Sequence, residues 1–337
     1  MMNVLICEQP ERLTLARVAI PTRKDDEVLI RVRRVGICGT DMHILRGTQP
    51  YLSYPRVMGH ELAGEVVEAP AHSALRAGDP VFVMPYMSCG ECAPCRKGLT
   101  NCCRNIQVLG VHRDGALAEY LAVPQRFVFK TDGISLDEAA MAEFLAIGAH
   151  AVRRAAIVSG ERALVVGAGP IGMAAALFAQ ADGARVCVLD TRADRIEFCK
   201  RHLGASDAVL VSDRLAAELA QISGGDMFDV VFDATGNAAA MTAGFDYVAH
   251  GGRYVFLSIV SASISFSDPD FHRREMTLMA SRNATLEDFE RVIGAMRAGQ
   301  VPTAALNTHR TRLDQLADVL PGWMQPQAGV IKGIVEC

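Results

Sequence analysis

The chain has 337 residues, half of them hydrophobic, with 34 Lys and Arg against 38 Asp and Glu and a formal charge of −4 at pH 7. That is enough chain for two ordinary domains and enough apolar mass for their cores, and it excludes a disordered polypeptide. The nearly balanced charge gives no footing for nucleic acid or an anionic membrane.

The opening residues, Met1 to Cys7, lack the basic start and long apolar stretch of a signal peptide. No apolar run is long enough to span a bilayer, so a soluble, cytoplasmic protein is expected. Disulfides are rare in that compartment, and tight cysteine clusters there read as metal sites.

Up to about residue 150, short strand-like runs alternate with Gly and Pro turns. Val28, Ile30 and Val32 alternate with Leu29, Arg31 and Arg33 as in a half-buried strand. Three candidates for a catalytic metal are scattered along this half: Cys38 in Gly36–His43, His60 with Glu61 after Gly59, and Glu143. A catalytic zinc takes about three protein ligands and keeps one position open. Glu61–Glu68 and Asp79–Met84 read as further strands. Cys89, Cys92 and Cys95, with Cys102 or Cys103 as fourth member, have the spacing that gathers thiolates around one ion. Four thiolates leave no open position, so this zinc would be structural.

From about residue 151 the texture becomes strand–helix–strand. Ala163–Val166 reads as an apolar strand and Ile171–Ala181 as a helix, with Gly167, Gly169, Pro170, Ile171 and Gly172 forming a GxGxxG loop between them. In that context the glycines permit a tight turn, close approach of a pyrophosphate and close helix–strand packing. The helix N-terminus offers free N–H groups to the phosphates. Arg185–Leu189 is the next strand. Asp190 at its end, eighteen residues beyond Gly172, can bind ribose hydroxyls and repel a 2′-phosphate, favouring NAD over NADP. Its other reading is a cap for a helix starting near Thr191. Arg192 or Arg195 could lie over the adenine or, as the weaker alternative, tolerate a 2′-phosphate. A helix over Arg195–Leu203 follows, then strands at Val209–Val211, Val230–Phe232 and Tyr254–Leu257, a helix over Thr285–Ala298 and a strand-like tail, Gly329–Cys337. Such alternation predicts a parallel sheet covered on both faces.

The segments GICGTDMH, YPRVMGHELAGEV, the cysteine cluster and VVGAGPIGM resemble the zinc-containing medium-chain alcohol and polyol dehydrogenases. MNVLICEQP, TNCCRNIQVLGVHRDG, AHAVRRAAI and FSDPDFHRREMTLMASRNATLEDF are similar to the sugar-acid dehydrogenases of that family. The resemblance implies an α/β architecture: a GroES-like β-rich catalytic domain over 1–150, completed by about 285–337, beside a Rossmann doubly wound NAD-binding domain over 151–284. It implies Cys38 and His60 as ligands of a catalytic zinc, with Glu143 as third ligand or reaching the ion through water and Glu61 as the alternative carboxylate. It implies that Asp41 orients the zinc-bound histidine, and it favours Cys103 over Cys102.

The expected reaction is oxidation of a secondary alcohol to a ketone. Zinc would acidify the hydroxyl as a Lewis acid, with Thr40 passing the proton by way of the cofactor ribose to His43. The expected substrate is a sugar acid such as L-galactonate or L-gulonate, oxidised at C5, with Arg282, or more weakly Arg113, as the carboxylate's partner. The resemblance also implies a homodimer or homotetramer. Phe144, Ala116 and Ala280 depart from the family pattern at positions that shape the pocket. The alternatives are a sorbitol-type polyol or L-threonine dehydrogenase and, of another class, a non-catalytic NAD-binding sensor. The set Cys38, His60 and Glu143 argues against the sensor.

Overall fold

A computed structural model describes all 337 residues, which gather into two compact units, Met1–Glu143 with Thr285–Cys337, and Phe144–Ala284. The first division falls inside the helix Ala142–Ala155, immediately after Glu143.

The first unit is built on a largely antiparallel sheet in the order Val128–Lys130, Pro80–Val83, Glu61–Glu68, Glu27–Ile37, Lys332–Glu336, Asn307–Arg312, with Tyr120–Pro124 also on Glu27–Ile37. Its centre is the eleven-residue strand Glu27–Ile37, where Val28, Ile30, Val32 and Val35 are fully buried. The tail returns here as the sequence alternation suggested. Ile334 lies opposite Gly36 and Gly333 opposite Ile37, antiparallel, while the tail's other edge runs parallel to Asn307–Arg312. Helix Leu286–Arg297 docks by Phe289, whose ring stacks on Phe82 at 5.8 Å.

The second unit is a six-stranded, all-parallel sheet in the order Asp207–Leu210, Arg185–Asp190, Arg162–Val166, Phe228–Asp233, Val248–Phe256, Thr277–Ala280. The chain starts in the middle and reverses direction between Arg162–Val166 and Phe228–Asp233, the switch point where open α/β sheets bind ligands. Ala163 to Val166 are all buried, as a strand covered on both faces requires.

Two of the expected elements differ in extent. The helix expected over Arg195–Leu203 is an α-helix at Ala193–Phe198 that widens into a π-turn at Cys199–Leu203, stopped by Gly204 at φ 62°. The strand expected from Tyr254 starts at Val248, because a register shift opposite Phe228–Val230 absorbs the Gly251–Gly252 pair into the ladder. No helix is long and apolar enough to cross a membrane.

Candidate functional site

The four-cysteine loop is held by the short helix Ala93–Arg96 and the turn Thr100–Cys102. Sγ separations are 3.4 Å for Cys92–Cys95, 3.5 Å for Cys89–Cys103 and 3.9 Å for Cys92–Cys103. Zinc–sulfur bonds of about 2.3 Å in a tetrahedron require edges of about 3.8 Å, so the sulfurs already stand at coordination spacing. Cys103 is buried and in the cluster, whereas Cys102 is exposed and outside it. The N–H groups of Arg104 and Cys95 pull the Cys92 thiol down to about 6, while burial pushes Cys95 up to about 12. Four sulfurs this close hold negative charge together only around a cation.

A second cluster lies in the same unit. Ligand atoms of Cys38, His60 and Glu61 all fall within 4.8 Å of one another. Cys38 follows the central strand, which ends at Ile37, and caps helix Gly39–Leu45. Asp41, fully buried in that helix's first turn, accepts N–H bonds from Cys38 at 2.9 Å and Gly59 at 3.0 Å. The resemblance implied that Asp41 orients the zinc-bound histidine. Its Oδ1 stands 3.9 Å from His60 Nδ1, within reach of its charge and beyond that of a hydrogen bond. Asp41 therefore fixes the backbone beside each ligand and contributes charge. Its carboxyl is raised above the usual range by burial, opposed by His60.

Glu143 stands in the first turn of Ala142–Ala155, where its Oε1 accepts from the Tyr86 hydroxyl. Burial raises its carboxyl to about 7, with Glu61's charge adding to the rise and His60 opposing it. Burial disfavours the charged form of His60, yet Cys38, Asp41 and Glu143 together raise it well above its ordinary value. Such negative potential around a buried imidazole is what a divalent cation would occupy.

Two buried polar atoms here, His60 Nδ1 and Glu143 Oε2, have no partner. Buried polar atoms are nearly always bonded. Together with a thiol–imidazole–carboxylate donor set, these orphans fit zinc.

In the second unit Gly167 adopts φ 96°, closed to ordinary side chains, and a Cβ on Gly172 would stand 1.8 Å from the Gly167 carbonyl oxygen. Gly169 opens onto free space, which leaves the start of helix Pro170–Ala181, with Pro170 and Ile171 in its first turn, accessible to an anion. Asp190 accepts from Ala168 N at 2.6 Å and Arg192 N at 2.8 Å. The bond to Ala168 ties the strand end to the glycine loop. The Arg192 guanidinium is engaged by Asp194 at 3.0 and 2.5 Å, and Arg195 is buried.

Thr40 and His43 share the helix Gly39–Leu45, Thr40 half-buried and His43 exposed, with His43 Nδ1 3.0 Å from the Thr48 hydroxyl. Arg113 is half-buried in the first unit and donates to Met87 Sδ at 3.2 Å. Arg282 is exposed in the second unit, just after strand Thr277–Ala280.

Residues 24–133 match the family model of the alcohol dehydrogenase GroES-like domain, and residues 170–298 that of zinc-binding dehydrogenases. The chain is 45% identical to the L-galactonate-5-dehydrogenase of Escherichia coli K12, over 99% of its own length and 98% of the relative's. The chain belongs to the zinc-containing medium-chain alcohol dehydrogenase family. It is also 33% identical to a 2-dehydro-3-deoxy-L-galactonate 5-dehydrogenase of Pseudoalteromonas atlantica, over 92% of each chain. A solved alcohol dehydrogenase of Escherichia coli CFT073, complexed with NADH, superposes with a TM-score of 0.93 at 29% identity, covering 100% of this chain and 99% of the other. The medium-chain dehydrogenase thus has the expected GroES-like and Rossmann-type domains.

Two side chains that the sequence reading missed lie against the carboxylates of this candidate site. One is Tyr86, the donor to Glu143. The other is Lys332, fully buried, whose Nζ donates to Glu61 Oε2 at 2.6 Å and Oε1 at 2.7 Å. Tyr86 left no signal in the sequence. Lys332 left a faint one, as the lone cation in the apolar run Val330–Val335.

Proposed function

We propose that this dehydrogenase oxidises the C5 hydroxyl of a sugar acid, L-galactonate or L-gulonate, to the 5-keto acid with NAD. The observation that carries the reading is the 45% identity to an L-galactonate-5-dehydrogenase across nearly the whole of both chains. In this reading Cys38, His60 and one neighbouring carboxylate, Glu61 or Glu143, hold a catalytic zinc, and Cys89, Cys92, Cys95 and Cys103 hold a structural one.

Zinc, when bound, supplies Lewis acidity that lowers a hydroxyl's pKa. NAD, when bound at the glycine loop, accepts a hydride. The chain's own residues do the rest. Thr40 takes the hydroxyl proton, and exposed His43 exchanges it with solvent. Asp41 fixes the Cys38 and Gly59 backbones so that the ligands meet in one geometry. Asp190 places a carboxylate where a 2′-phosphate would be repelled, and Arg192, already paired with Asp194, offers that phosphate little. The family resemblance adds a homodimer or homotetramer.

Recognition of the carboxylate falls to Arg282, with Arg113 as second candidate. The test compares Arg282→Met and Arg113→Met on L-galactonate and on a neutral hexitol. The reading predicts that one of them raises KM for the aldonate about 10- to 100-fold, as for loss of a charge-assisted hydrogen bond, and leaves the hexitol nearly unchanged. Equal losses on both substrates remove the carboxylate role.

A further inference from the structure

Tyr51 leaves 60% of its surface exposed, and its ring lies against His112, with 6.5 Å between centroids and 24° between planes. Single exposed apolar residues are ordinary and need no role. This one differs because its backing ring is held in place. His112 Nδ1 accepts from the Val108 N–H at 3.1 Å. The following residues pin the loop. Asp114 Oδ1 accepts from the Arg56 guanidinium at 3.0 Å and from Val57 N at 3.1 Å, and Gly115 N donates to Val57 O at 2.7 Å. Gly110 and Gly115 pack on Gly59, the residue before His60. A Cβ would stand 2.8 Å from Gly59 N at the first and 2.2 Å from Gly59 O at the second. The segment of Tyr51 is tied to helix Gly39–Leu45, which carries Thr40 and His43. Thr48 N donates to His43 O at 2.9 Å, and the Tyr54 hydroxyl donates to Ile44 O. Both rings sit on loops fastened to the candidate site's own elements, all within the first unit.

We propose that Tyr51, backed by His112, is a specificity-determining residue whose open face packs against the C–H groups of a polyhydroxylated carbon chain. The proposal rests on the reading of the substrate as a sugar derivative. An aromatic face carries negative charge density, and C–H groups beside hydroxyl oxygens present positive edges to it. A hydroxylated chain can lay a row of C–H groups on such a face while its hydroxyls keep water or polar partners. Tyrosine supplies this contact at low entropic cost, having two side-chain torsions to fix, and the stack on His112 restrains them beforehand. A short alcohol offers little to the ring. The contact therefore favours a long sugar chain over a small secondary alcohol.

The test measures NADH formation by the full-length, zinc-loaded enzyme on L-galactonate and on galactitol, a neutral chain of equal length. Tyr51→Ala should raise KM for the better of the two by at least about threefold, the worth of an aromatic contact, with kcat falling less. Tyr51→Phe and Tyr51→Trp should stay within about twofold of the wild-type KM, because each keeps a ring face. His112→Asn keeps an acceptor for the Val108 N–H and removes the ring, and should raise KM in the same way. A smaller rise in Tyr51→Ala overturns the proposal, as does Tyr51→Phe behaving like Tyr51→Ala. A change of oligomeric size in Tyr51→Ala also overturns it, since the ring would then pack on a second copy of the chain. An unchanged KM in His112→Asn overturns the part given to His112. The sugar-acid reading is judged separately. A wild type that prefers galactitol overturns that reading, and the Tyr51 variants are then decided on galactitol. Turnover of neither substrate overturns both.

Discussion

Cys103, not its neighbour Cys102, closes the four-sulfur cluster, and the choice shows how legibility works at the residue scale. The ligands lie within fifteen positions of one another, so their spacing alone announced a metal site. Spacing left two adjacent thiols open, and burial separates them. Cys103→Ser should lose one zinc per chain and destabilise the first unit by more than about 4 kcal/mol, as loss of a structural metal does. Cys102→Ser should keep both ions and change stability by less than about 0.5 kcal/mol. Metal analysis with thermal unfolding checks this, and the reverse pattern would show that the ligand is misassigned. The second cluster was harder to read. Cys38, His60 and Glu143 are each ordinary in isolation, and family motifs rather than spacing drew them together. Lys332 and Tyr86 were missed because their partners are 271 and 57 positions away. No local pattern encodes such pairs; only the folded sheet brings them together.

At the scale of elements, the second unit was read most easily. Five of its six strands were read from short apolar runs, Thr277–Ala280 being missed, and the glycine loop between Arg162–Val166 and Pro170–Ala181 has a stereochemical reason for its glycines. Helix Ala142–Ala155 escaped the reading because Gly148 interrupts its helical pattern. In the fold that glycine is a contact: a Cβ there would meet Ala174 Cβ at 2.4 Å. The π-turn at Cys199–Leu203 has no sequence signature that we can name. The strand end at Asp190 carries a direct prediction, since its carboxylate braces the glycine loop through Ala168 and, in the proposed function, opposes a 2′-phosphate. Asp190→Ala should lower kcat/KM for NAD about 10- to 100-fold, the worth of a hydrogen bond to a charged group, while NADP is affected less. Steady-state kinetics with both cofactors read the outcome. A wild type that uses NAD and NADP equally well contradicts the role given to Asp190.

Over the whole molecule, the change of texture near residue 150 foretold two architectures, and the alternating tail foretold a strand. What the sequence left open was how far the first unit depends on that tail. Lys332–Glu336 lies inside the sheet, between Glu27–Ile37 and Asn307–Arg312. The last strand is therefore as central to the first unit as the strand that leads into Cys38, and it delivers the ammonium that meets Glu61. A chain whose ends must pair before its metal ligands are placed pays a loop-closure entropy that local motifs do not reveal. The family membership makes the protein a dehydrogenase, and a sugar acid is the substrate proposed for it. The most direct measurement is NADH formation by the zinc-loaded enzyme, comparing kcat/KM for L-galactonate and L-gulonate with that for sorbitol and L-threonine. A hexonate should be the best substrate by at least about tenfold, equivalent to about 1.4 kcal/mol of transition-state discrimination. Faster turnover of sorbitol or L-threonine than of either hexonate would contradict the sugar-acid assignment.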